Sequence, residues 1–175
     1  MKTLGVIFLA VTNILLSQKY KSEALTAHVF IRYSDQIIKG ENSSANIAID
    51  LDKKTINAEL EISEFDFQEQ IKVKVFGRDV METKKFPKAL LAGTLKQQTK
   101  DNYLILGTIT IRGIHYNINF PAKFKFINNQ LTIDGSFLLK YVDFEIKIPQ
   151  KESKKIKNEV KVSIQGKLEY FSTKN

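Results

Sequence analysis

The side chains best suited to chemistry in this chain are two histidines, a few close pairs of carboxylates and a group of lysines near the C-terminal end. A histidine metal site needs several ligands that converge. His28 and His115 fall on different predicted strands, each in the polar phase, so both are expected on the surface and no metal site is expected. Glu59 and Glu61 form one acidic pair, Glu64 and Asp66 another. Residues two apart on a strand share a face, so Glu59 and Glu61 are expected side by side in water rather than working as acid and base. Cysteine is absent, which excludes disulfides, thiolate metal sites, a cysteine nucleophile and a lipid-modified cysteine. No serine sits in a nucleophile elbow, and no glycine-rich phosphate loop opens a helix. A hydrolase or isomerase would need polar groups converging on a pocket. The residue types therefore lead to the expectation of a protein that is not an enzyme and uses no cofactor.

The net charge of +8 raises the question of nucleic acid. A nucleic-acid binder gathers its charge on one face or helix. Here Lys123 and Lys125, like Lys161 and Lys167, are interleaved with apolar residues along strands, the pattern of a solvated sheet face, so no nucleic-acid partner is expected. Met1-Lys2-Thr3 followed by the uncharged, nearly all-apolar run Leu4 to Leu16 has the form of a secretory leader. The run is short for a membrane-spanning helix. Residues 1–18 are assigned to this leader and 19–175 to one domain. The expected location is the bacterial periplasm or outside the cell, with no stable membrane insertion once the leader is gone.

The remaining chain must supply the elements. From Leu25 onward the apolar residues recur every second position, the period of a strand with one buried face. Eight such runs can be read, at 25–33, 45–51, 56–62, 89–95, 103–111, 114–126, 131–141 and 160–170. Lys39 to Ser44 reads as the turn between the first two, and Asn128-Asn129 as a hairpin turn, since Asn tolerates positive φ. Eight antiparallel strands with one apolar face avoid open edges by closing into a barrel, with a two-sheet sandwich as the alternative. Gly93, Gly107, Gly135 and Gly166 fall on the inward face, where glycine permits a bend or leaves space. Two segments break the alternation. Glu64 to Pro87 is expected to form a short helical or irregular lid over one barrel mouth, and Asp143 to Asn158 a long basic connection.

An eight-stranded barrel with an apolar interior has room for side chains plus one small ligand. The candidate lining is Phe67, Phe76, Met81, Leu91, Phe120, Phe124, Phe137 and Tyr141, with Met81 at the mouth because methionine adapts to irregular ligands. Lys154, Lys155 and Lys157 are candidates to meet a phosphate head group. The function read from these residues is a binding or carrier protein for a long apolar or amphiphilic chain. The alternative is a non-catalytic envelope protein whose barrel is solidly filled.

Five stretches occur together and in order: Phe65-Asp66-Phe67, Met81 to Pro87, Gly107 to Ile114, Asp143 to Pro149, and Lys155-Ile156. In these the sequence resembles the YceI-like family. The resemblance implies an all-β, eight-stranded antiparallel lipocalin-like barrel outside the cytoplasm. It also implies a polyisoprenoid, quinone or fatty-acid-like ligand in the interior, and leaves room for a homodimer. Two places depart from the family's pattern: His115 stands where Thr is common, and Ile71 to Val75 alternate where relatives look helical.

Overall fold

The computed structural model describes residues 18–67 and 78–171. The expected leader up to Ser17, the candidate Phe76 and the alternating stretch Ile71 to Val75 lie outside the described residues. The strands are β1 (Lys19–Tyr33), β2 (Gln36–Asp50), β3 (Thr55–Glu61), β4 (Asp66–Phe67), β5 (Lys88–Gln97), β6 (Asn102–Ile111), β7 (Ile114–Ile127), β8 (Gln130–Lys140) and β9 (Ile156–Tyr170). They form one antiparallel sheet in the order β1-β9-β8-β7-β6-β5-β3-β2, and β2 pairs back onto β1. Eight strands thus close a barrel, and the two-residue β4 hangs on β2 at Gly40 and Glu41. Closure, not a sandwich, is how this chain disposes of its sheet edges.

The period-two pattern explains the wall. Leu25, Ala27, Val29 and Ile31 of β1 are buried, as are Ile118, Phe120, Ala122 and Phe124 of β7, while the residues between them on β7 face out. Two hairpins are two-residue turns with positive φ at both positions: Asn128-Asn129 (48° and 63°) and Arg112-Gly113 (54° and 76°). Such turns carry the twist that antiparallel strands need. Gly93 and Gly107 face each other across β5 and β6. A Cβ on Gly93 would lie 2.7 Å from the Leu106 carbonyl oxygen and 3.0 Å from the Gly107 Cα, so the two backbones approach where only glycine fits.

Three expectations are corrected. The stretch Lys39 to Ser44 is not a turn but the middle of β2, and the chain reverses at Ser34-Asp35 instead. Its turn-forming residues make a bulge: the β1–β2 register slips between Leu25↔Ala45 and Ala27↔Asn42. Asn42 is buried there and acts as the fastener, since its side chain accepts from the Ser44 backbone N–H and donates to the Glu61 carbonyl. Second, β8 ends at Lys140, so Tyr141 opens a 3-10 turn (Tyr141–Phe144), and β9 starts at Ile156 rather than at 160. Third, His28 is not a surface residue. It lies in the outward phase but is 7% exposed, bonded to Glu41 (3.1 Å) beside the Phe30 ring. His115 is exposed as expected and bonds Thr110.

Glu59 and Glu61 do stand side by side, and Lys88 bridges them at 3.3 and 3.7 Å. Such exposed ion pairs add little to stability.

Candidate ligand-binding site

The barrel has two unlike ends. The lower end carries the Asn128-Asn129 turn, and its interior is filled. Phe124 is fully buried there and stacks on Tyr103, with ring centroids 4.5 Å apart. The upper end carries the Arg112-Gly113 turn and is closed by non-strand segments. These are a 3-10 turn (Ile62–Glu64) running into Phe65, a four-residue helix (Arg78–Met81), the turn Tyr141–Phe144, and a second four-residue helix (Gln150–Ser153). The expected lid is therefore present in its described part, and the connection after β8 shares the roof with it.

Between the filled lower half and this roof lies a cavity of about 120 Å³. Its walls are inward side chains such as Leu25, Ala45, Leu91, Phe137 and Val160. Its roof is Phe65, Met81, Tyr141, Phe144 and Ile146. An engineered apolar void of roughly 150 Å³ stays dry and admits a benzene-sized guest. The present void is of that order, enough for one ring or a short branch of chain.

The sequence-derived candidates divide across this boundary. Met81, Leu91, Phe137 and Tyr141 line the cavity. Phe120 and Phe124 do not. Phe120 packs on Phe137 (centroids 4.6 Å apart) at the floor, and Phe124 belongs to the filled half. Phe67 is half-buried on β4 outside the lining, seated over Gly40, where a Cβ would come within 2.4 Å of its ring. None of the three candidate lysines lines the cavity. Lys155 lies over the Tyr33 ring, 5.7 Å from its centroid, and hydrogen bonding to Tyr33 raises its pKa. Lys157 borders a surface groove bedded by Phe30, Ile37 and Leu138, and Lys154 is exposed.

Two features of the site escape a reading by period. The first is Arg112. Its Nε donates to Glu82 (3.0 Å), its Nη2 donates to the same carboxylate, and its Nη1 donates to the carbonyls of Phe144 (3.0 Å) and Glu145 (2.6 Å). The guanidinium holds the Glu82 carboxyl below its ordinary pKa. Glu82 follows Met81 directly, so one side chain ties both roof segments to the β6–β7 turn. Phe86 lies against the same turn, 3.3 Å from where a Gly113 Cβ would stand. The second is a gap in the wall. β2 and β3 pair only from Asn46↔Glu59 to Asp50↔Thr55, and above that point β2 pairs with β4 instead. Asn46 and Glu59, at the top of that ladder, are both part of the cavity lining.

The motif stretches that punctuate the sequence thus converge on one place, the roof. The YceI-like domain model matches residues 20–168. The chain belongs to the YceI-like family. No curated protein matches it in sequence. Among solved structures, this YceI-like barrel is similar to Burkholderia cenocepacia BcnA (18% identity, 82% of this chain and 95% of that one, TM-score 0.70). It is also similar to a polyisoprenoid binding domain from Saccharophagus degradans implicated in plant cell wall breakdown (8% identity, 89% and 99%, TM-score 0.68). A third is the Campylobacter jejuni YCEI protein (14% identity, 99% and 92%, TM-score 0.58). At these identities the likeness speaks for the fold.

The YceI-like chain shows no helix among its described residues long and apolar enough to cross a membrane. Its described residues hold no group of three or more His, Asp or Glu placed for a metal ion.

Proposed function

We propose that this protein binds a lipid, an isoprenoid or similar amphiphilic chain, in the upper half of its barrel, and that it carries this cargo without chemical change. The observation that carries the reading is the apolar cavity under a pinned roof, with the other half of the barrel filled. The family membership and the polyisoprenoid-binding neighbour support the same class of cargo. Each CH₂ taken from water contributes roughly 0.8 kcal/mol, so a prenyl chain needs few polar contacts to bind well. The resting void holds only a short part of such a chain. Loading a longer one requires the roof segments, the β2–β3 gap or the unpaired upper stretch between β7 and β8 to give way. The reading includes export, with residues 1–18 as the leader, in keeping with the uncharged apolar run after Lys2.

The test is a filled-cavity variant. Val160 is 5% exposed and lines the void, and Val160→Phe occupies part of it at a cost below about 2 kcal/mol. Wild-type protein purified from its own envelope should carry an extractable lipid by native mass spectrometry, and the variant should carry none while melting near the wild-type temperature. A wild-type protein that arrives empty and refuses added prenols and fatty acids would leave the filled-barrel alternative.

A further inference from the structure

Among the described residues, the cavity contains one buried polar side-chain atom without a hydrogen-bond partner. Tyr141 is 3% exposed and lines the void. Its hydroxyl is buried with no hydrogen-bond partner among the described residues. Burial raises its pKa, so the group is a neutral O–H donor throughout the physiological range. The other polar side chains of the described lining, Asn46, Glu59 and Lys140, are exposed or partly exposed, and Glu59 bonds Lys88. A buried hydroxyl left unmade is costly and is normally paired.

Two occupants could satisfy it. A buried water ordinarily makes about three hydrogen bonds, and among the described residues this void offers it one buried side-chain group. A ligand oxygen needs only the one. A charged group is the wrong complement, because burying an ionised head without a partner ion is very unfavourable and no cation is buried among the described residues of the lining. We propose that Tyr141 donates its hydroxyl to a neutral oxygen of the cargo, so that the natural ligand is an oxygen-bearing lipid such as a quinone, ketone, ester or alcohol, bound with that oxygen beneath the roof. This rests on the carrier reading and narrows it: an all-carbon chain leaves the hydroxyl unpaired, and a phosphorylated lipid must keep its phosphate outside, away from Tyr141.

The experiment compares three probes of matched prenyl chain, farnesylacetone (a neutral ketone), farnesene (a hydrocarbon) and farnesyl phosphate, on the full-length protein and on Tyr141→Phe. The wild type should bind the ketone about tenfold more tightly than the hydrocarbon. Tyr141→Phe should erase that preference while binding the hydrocarbon at least as well. The bound ketone's carbonyl stretch should move to lower wavenumber in the wild type and return in the variant, a change that loss of packing alone does not produce. Equal affinity for ketone and hydrocarbon, an unchanged preference in Tyr141→Phe, or tightest binding of the phosphate would overturn the assignment and leave the carrier reading standing. Binding of none of the three would overturn both.

Discussion

Tyr141 and Phe124 are both buried aromatic residues in the inward phase of the sequence, yet Tyr141 lies in the roof over the cavity and Phe124 in the packed lower half. Phe124 has 0% exposure and stacks on Tyr103, so its ring is part of what keeps the lower half closed. Phe124→Ala should cost about 3–5 kcal/mol by removing a large ring from a site that cannot collapse around the loss, measured by urea unfolding. It should leave the affinity of the upper cavity for a lipid within about twofold, since sites without shared partners act nearly independently. A large fall in affinity at unchanged stability would place the ligand in the lower half. Period alone could not separate the two residues. Both belong to the inward phase, and phase reports which side of a wall a residue faces, not whether the space before it is filled. His28 shows the same limit from outside: the alternation puts it outward correctly, but the Glu41 carboxylate and the Phe30 ring beside it are invisible to a pattern along one strand.

The strands themselves were the most legible part of the sequence, because one-sided burial forces a period of two whatever the partner strand is. Their ends were less so. At Lys39 to Ser44 the composition says turn, and the residues do serve their turn chemistry, but as a bulge inside β2. At Tyr141 the apolar alternation runs on past the last ladder pair, Lys140↔Glu159, into a 3-10 turn. The Arg112 clamp could not be read at all, since its partners Glu82, Phe144 and Glu145 are roughly thirty residues away on each side. What sequence could supply was the set of stretches that turned out to meet there. Glycine in a strand was read as a bend, and the Gly93–Gly107 pair gives that a measurable form. Gly93→Ala would push a Cβ into backbone atoms of β6, neither of which can rotate away. A loss of about 1–3 kcal/mol is expected, seen as a lower midpoint in urea, and an unchanged midpoint would mean that β5 and β6 separate freely.

Closure of the ring sets the behaviour of the barrel entire. β1 pairs with β2, its neighbour in sequence, and with β9, at the far end of the chain. The Phe171 N–H donates to the Lys19 carbonyl at 2.7 Å, so the two ends of the described chain are adjacent. A permutant that joins residue 171 to residue 18 by a short glycine linker and opens at the exposed Asn128-Asn129 turn should therefore keep the barrel. Its far-ultraviolet circular dichroism should match the parent's, and its unfolding should stay a single transition. A permutant that aggregates or melts in two steps would show that β7 and β8 must be joined for the ring to form.

The unpaired upper stretch of β2 and β3 gives this ring a property that a fully laddered barrel lacks. At the lower end the circumference is fixed by backbone pairs, so widening it there means breaking a ladder or shifting a register, whereas at the upper end β7 and β8 also lack mutual pairs above Ala122↔Gly135. Between β2 and β3 the side chain of Asn42, reaching the Glu61 carbonyl at 2.8 Å, is a cross-link that can be released without disturbing either ladder or register. The ring is thus tied less tightly in girth at its upper end than at its lower one, and the Asn42 amide is one of the ties that hold it there.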